Sequence, residues 1–218
     1  MSLIKTLLKE IVSTLPIKKI TTVYHVGEMD IKNKSDFSLE GSGLSVSKHP
    51  DEWRTIARLG DRPLFELTNS NAKFIDAYKL KQSDKKQIIE WGVTNKYINK
   101  KETYRIYSYN DNDKPQYMEF NTREEAEAEL DEDTKLRVNK NGLESTNKLN
   151  RQTKQNKIDN INIFDLLLTV YIEQTKLYDG IWWNDYLDVR QYSAPRGVIF
   201  NSKLKQWKIN KLKSNESN

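Results

Sequence analysis

Leu3, Ile4, Leu7, Leu8, Ile11, Val12 and Leu15 recur at helical spacing and predict a first helix over 2–15. Pro16 ends it, because proline disfavours helical geometry in the residue before it. The pattern then switches to a run of β-branched and aromatic residues, Ile20 to Val26, which predicts a buried strand. A polar stretch from Gly27 to Ser38 leads to a short second strand, Leu44 to Ser47, behind Gly41 and Gly43. Pro50 in a first turn, with Asp51 and Glu52 complementing the helix dipole, starts a helix that Gly60 can end. Trp53, Ile56 and Ala57 share one face of that helix. A strand over 64–67 and a loop over 69–77, with Phe74 and Ile75 tucked inward, follow. Ser83 then caps a helix running through Ile88, Ile89 and Trp91 to Gly92.

The middle of the chain is more polar. Tyr104 to Tyr109 and Gln116 to Phe120 flank the turn-rich Asn110–Pro115, a hairpin pattern. Thr122 is placed to cap an acidic helix over 121–130. From Asn139 to Asn160 apolar residues are scarce, so a linker or mobile loop is expected. A largely apolar helix over 161–175 restores the core pattern. A strand at Gly180–Trp183, a polar loop to Pro195, a strand at Gly197–Phe200 and a last short element over 204–209 complete it. Helices and short strands intermix without a βαβ rhythm, which predicts an α+β fold on a strongly bent or split sheet. Residues 1–93 and 160–209 are expected to build one core. Residues 94–159 form an inserted polar hairpin-plus-helix subdomain in this reading, and 210–218 a flexible basic tail.

Composition sharpens this picture by exclusion. Hydrophobic residues are 36% of 218, yet 5 Trp, 11 Tyr and 6 Phe supply a core. That combination describes a folded body carrying polar segments rather than a disordered chain. The absence of cysteine removes disulfides, thiol nucleophiles and cysteine zinc sites. Only His25 and His49 are available for a histidine-based metal centre, so no metal is expected. No apolar run is long enough to span a membrane, and Lys5, Lys9 and Glu10 interrupt any signal-peptide core. The expectation is a soluble, cytoplasmic protein. The net charge of +5 is mild, but its distribution is not even. An acidic block over 119–133 precedes a basic stretch over 135–157, and Lys203, Lys205, Lys208, Lys211 and Lys213 follow near the end.

Tests for familiar catalytic motifs mostly fail. No phosphate-binding glycine loop occurs, and Gly43-Leu-Ser-Val-Ser47 ends in serine where a nucleophile elbow needs glycine. An ordered arrangement remains. Tyr24-His25-Val26-Gly27 closes the first strand, and Gly43-Leu-Ser-Val-Ser47 leads into the helix from Pro50. Late in the chain, Tyr178-Asp-Gly-Ile-Trp-Trp183 precedes a loop with Asp185 and Asp188, and then Ser193-Ala-Pro-Arg-Gly-Val-Ile-Phe200.

This arrangement resembles the ADP-ribosyltransferase fold in its His–Tyr–Glu class and its phage- and toxin-associated relatives. The resemblance covers roughly residues 20–60 and 176–208. It implies that NAD is the substrate, that His25 holds a ribose hydroxyl, and that the Ser45–Ser47 strand lines the nicotinamide pocket. It also implies that Asp185 or Asp188 stands for the catalytic carboxylate. The second motif departs from the family by carrying Ser45 and Val46 where an aromatic is usual, and the acid is aspartate rather than glutamate. Tyr24, Gly27, Trp182 and Arg196 complete the expected NAD-contacting set, with a macromolecule as acceptor.

Two non-catalytic readings stand beside it. The basic stretch 135–157, the basic tail and the aromatics Tyr104, Tyr107 and Tyr109 suit nucleic acid. The acidic helix over 124–133 suits a basic protein partner.

Overall fold

The computed structural model describes residues 15–29, 43–109, 115–153, 163–184 and 196–212. Strands from both ends of the chain interleave in one eight-stranded sheet. Its order is β1 (Ile17–Lys19), β5 (Lys73–Asp76), β9 (Gly180–Asn184), β10 (Arg196–Ile199), β3 (Leu44–Ser47), β2 (Thr22–Val26), β4 (Leu64–Thr68) and β11 (Lys208–Leu212). Neighbours are antiparallel except β5 and β9, which run parallel.

The sheet cannot be flat. Lys19 and Thr22 are three residues apart, a reach of at most about 11 Å. Their strands are five spacings apart, about 24 Å across a flat sheet at ~4.8 Å per strand. The sheet therefore bends until its β1 edge returns towards β2. Ile20 and Thr21 cross that bend, so the expected strand over 20–26 shortens to β2, and β1 stands before it, where no strand is expected.

Each face of the bent sheet buries its own core. Inside the bend Phe74 meets Trp182 and Trp207 edge-on, each with ring centroids 5.9 Å apart, over Val23, Val46 and Leu67. The outer face, with Ile75, Ile181 and Val198, is covered by α2 (Gln82–Thr94), α4 (Asn147–Thr153) and α5 (Ile163–Glu173). Alternate residues of β5 thus enter different cores, which is why a four-residue strand stands where a loop over 69–77 is expected. Helix α2 begins at Gln82, and its first turn is closed by Asp84, which accepts from the Lys81 N–H at 2.8 Å. Ser83 is not its cap. Helix α1 (Pro50–Ile56) starts at Pro50 as expected, but none of its residues is fully buried.

The middle of the chain forms a second, three-stranded antiparallel sheet in the order β7 (Pro115–Phe120), β6 (Ile98–Tyr109), β8 (Lys135–Ser145). Thr122 caps the short acidic helix α3 (Arg123–Glu127), accepting from Glu125 N–H at 3.2 Å while Glu125 accepts from Thr122 N–H. The expected linker over 139–160 is structured as far as Thr153, for it supplies more than half of β8 and all of α4. Leu149 in α4 is completely buried. The tail expected over 210–218 is strand as far as Leu212, since Asn210 to Leu212 pair with β4, and its remaining residues lie outside the described ones. Of the first helix expected over 2–15 only Leu15 is described, and it is not helical; the rest of that helix, the hairpin turn over 110–114 and the loop over 185–195 lie outside the described residues. Among the described residues no helix is long and apolar enough to cross a membrane.

Candidate functional site

Side chains paired directly across a ladder point to the same side of a sheet, and successive residues alternate. The register therefore sorts the candidate residues between faces. Tyr24 opposes Ser47, Ser47 opposes Arg196, and Ser45 opposes Val198, whose side chain lies in the outer core. Tyr24, Ser45, Ser47 and Arg196 thus belong to the outer face. His25 opposes Phe65, and Trp182 opposes Gly197 beside Val46, so these belong to the inner face of the bend. The expected convergence of His25 with a serine hydroxyl does not occur.

His25 instead meets the backbone. Its Nδ1 lies 2.8 Å from the Ser45 carbonyl and its Nε2 3.2 Å from the Glu28 carbonyl. Carbonyl oxygens only accept, so a neutral ring donates to one of them at a time. The shorter contact clamps the ring to β3, and the Nε2 edge faces the segment that follows Gly27. Gly27 has φ +137°, and a Cβ there would come within 3.2 Å of Nε2. Only glycine gives the chain this turn without crowding the imidazole.

Ser47 is buried and consumed locally: its Oγ accepts from His49 N–H at 3.0 Å, shaping the entry to α1. Trp182 is completely buried, with its ring over Gly197, so it serves as core rather than as an open stacking surface. Asp185 and Asp188 lie outside the described residues. Their connection leaves the sheet from Asn184, which shares a cross-strand row with Arg196, Ser47 and Tyr24. Three strand spacings separate that departure point from β2, about 14 Å at ~4.8 Å each.

Four further groups share the inner face with His25. Phe65 lies 6.4 Å from the imidazole, centroid to centroid, and Lys211 Nζ sits 5.9 Å over the Phe65 ring. Lys48 Nζ sits 5.5 Å over the Trp182 ring. Burial, and then the nearby Lys18 ammonium, push the Lys48 pKa below its ordinary value. A partly desolvated ammonium with a second one nearby, on a concave, aromatic-lined face, forms a setting that favours a multiply charged anion. Lysines at isolated positions in the sequence carry no such signal, because only the bend brings Lys18 towards Lys48.

Asp179 has a purely structural part. It is buried, accepts from Lys73 N–H at 2.9 Å and Asn69 Nδ2 at 3.3 Å, and joins the starts of β5 and β9 to the end of β10 through backbone bonds to Lys73 and Phe200. Among the described residues no group of three metal-ligating side chains is assembled. No family model, curated protein or solved structure matches the chain.

Proposed function

We propose that the chain binds NAD on the inner face of the bent sheet and transfers ADP-ribose to a macromolecular acceptor, as an ADP-ribosyltransferase or a degenerate relative of one. The observation that carries this reading is the clamped His25, on one concave face with Phe65 and the Lys18–Lys48 pair. In this reading the lysines meet the pyrophosphate, and the Nε2 edge of His25 exchanges the Glu28 carbonyl for a ribose hydroxyl. The bond between ribose C1′ and the nicotinamide nitrogen breaks, and nicotinamide leaves with the bonding pair. A nucleophilic oxygen or nitrogen of the acceptor bonds to C1′ and loses its proton. Positive charge develops on the ribose, so a carboxylate at Asp185 or Asp188 stabilises the transition state more than the bound substrate. Tyr24, Ser45, Ser47 and Arg196 have no part in this version, because their side chains belong to the other face.

Calorimetry with NAD and an assay for released nicotinamide test the proposal. The expected outcome is binding and nicotinamide release in the wild type, with both weakened in His25→Ala. Alanine at the operative aspartate is expected to lower kcat by about 10²–10³-fold with little change in binding. An intact fold that neither binds NAD nor releases nicotinamide, with candidate acceptors present, would exclude the reading.

A further inference from the structure

The three-stranded sheet has two unlike faces. Arg105 and Tyr107 of β6 lie beside Glu119 and Tyr117 of β7, and beside Arg137 and Lys135 of β8. The opposite face carries Tyr104 and Ile106 and receives the acidic helix α3 through the buried Ala126. The charges are thereby segregated, acidic behind and basic in front. In front, Tyr117 is 55% exposed, and Lys135 and Arg137 are exposed as well.

Packing alone does not account for this front face. Arg105 directly opposes Arg137, and like charges so paired are destabilising. Glu119 answers only one of them, accepting from Arg105 Nε at 2.7 Å and from Thr103 Oγ1 at 2.6 Å. Burial pushes the Glu119 carboxyl up, but bonds from Thr103 and Arg105, the Arg105 charge and Asn139 outweigh it and hold the carboxyl below its ordinary value. Among the described residues Lys135 and Arg137 have no carboxylate partner. The two guanidinium groups lie instead over aromatic rings: Arg105 4.5 Å from the Tyr117 centroid, and Arg137 5.2 Å from that of Tyr107. The two tyrosines are 5.8 Å apart at 38°. The result is a diagonal array of flat cationic and aromatic planes on an open sheet surface.

We propose that this face binds single-stranded nucleic acid, with unstacked bases on the Tyr107, Tyr117 and guanidinium planes and phosphates against Lys135 and Arg137. Bases in a duplex hide their faces in the stack, so planes offered at stacking distance suit a single strand. Arg105, pinned by Glu119, serves as a pre-ordered plane, while Arg137 and Lys135 supply the charge. Tyr104, on the α3 side, takes no part, and the basic stretch contributes through two strand residues rather than through a loop.

Fluorescence anisotropy of the full chain with labelled oligothymidylate and oligouridylate, across a salt series, tests this independently of the NAD reading. A duplex of equal length, heparin and polyglutamate serve as competitors. Tyr117→Ala is expected to weaken binding about tenfold, and Arg137→Ala to lower the salt slope by about one. Both substitutions are at exposed positions, and an unchanged melting temperature checks that the fold is intact. His25→Ala is expected to bind like wild type, so failure here and failure of the nucleotide site remain distinguishable. Preference for oligouridylate identifies RNA and preference for oligothymidylate DNA, and either upholds the proposal. Three results would overturn it: no binding, binding insensitive to Tyr117→Ala and matched by heparin or duplex, or equal competition by polyglutamate, which would mark an acidic polypeptide as the ligand.

Discussion

At the scale of single residues, two acids in the main body have opposite fates. Asp179 is buried but fully engaged, holding Lys73 and Asn69. Glu173, at the C-terminal end of α5, is half-buried, and burial alone raises its pKa. A carboxylate at a helix C-terminus also faces the negative end of the helix dipole. Because the folded-state pKa lies above the unfolded value, the protonated form is favoured by folding. Stability is greatest below the unfolded value, about 4.3 for glutamate, and declines as pH rises through the raised folded-state value. Glu173→Gln is therefore expected to raise the melting temperature at pH 7 by about 2–4 °C, with the gain vanishing near pH 4. Thermal melts of both proteins across that window check the sign. An equal gain at every pH would mean that the effect is not electrostatic.

At the scale of elements, what could be read in the sequence follows from how each segment is buried. Helix α5 buries nearly its whole circumference, so its apolar run is unmistakable. Helix α1 shows itself through Pro50 and two acids, and α3 through Thr122, because caps are local chemistry. Strand β8 was hidden because its front face is open to solvent, so Lys, Arg and Asn alternate where apolar residues would have marked a strand. Strands β1 and β5 were hidden by their brevity, and the late start of β2 at Thr22 by a bend that no local pattern encodes. The same limit applied to the candidate site: His25 was visible, but its separation from Ser45 and Ser47 by the plane of the sheet depended on register. The pairing of β9 with β10 gives a direct test of that register. A Cβ at Gly197 would lie 2.4 Å from the Trp182 ring and 2.6 Å from the Ile181 carbonyl. A backbone oxygen cannot swing aside as a flexible side chain can. Gly197→Ala is expected to cost at least about 3 kcal/mol, at the upper end of overpacking penalties, measured by denaturant unfolding. A loss below about 1 kcal/mol would mean that this register is wrong.

At the scale of the molecule, the two sheets are joined through a common root. Strand β6 begins at Ile98, which is completely buried in the outer core, and Tyr97 before it stacks on Trp91 with centroids 5.1 Å apart. Strand β8 ends near Leu143, packed against the same core, and Thr146 Oγ1 then donates to the Tyr97 carbonyl at 2.9 Å. Helix α4 follows, and its Leu149 fills a space shared with α5. The second sheet is thus anchored where both of its long strands enter the core, and its outer part projects with α3. Such a root couples the proposed nucleic-acid surface to the body that carries the proposed nucleotide site. Truncating the root should therefore lower the whole molecule's stability, not melt the second sheet alone. Leu149→Ala removes a fully buried leucine and is expected to cost about 2–5 kcal/mol. Hydrogen exchange followed by mass spectrometry distinguishes the two cases. Coupling predicts that protection falls by a similar factor in β6 near Ile98, in α5 and in β9. Loss confined to β6, β7 and β8 would instead make the second sheet an independent folding unit, and the two surfaces would then act without mechanical connection.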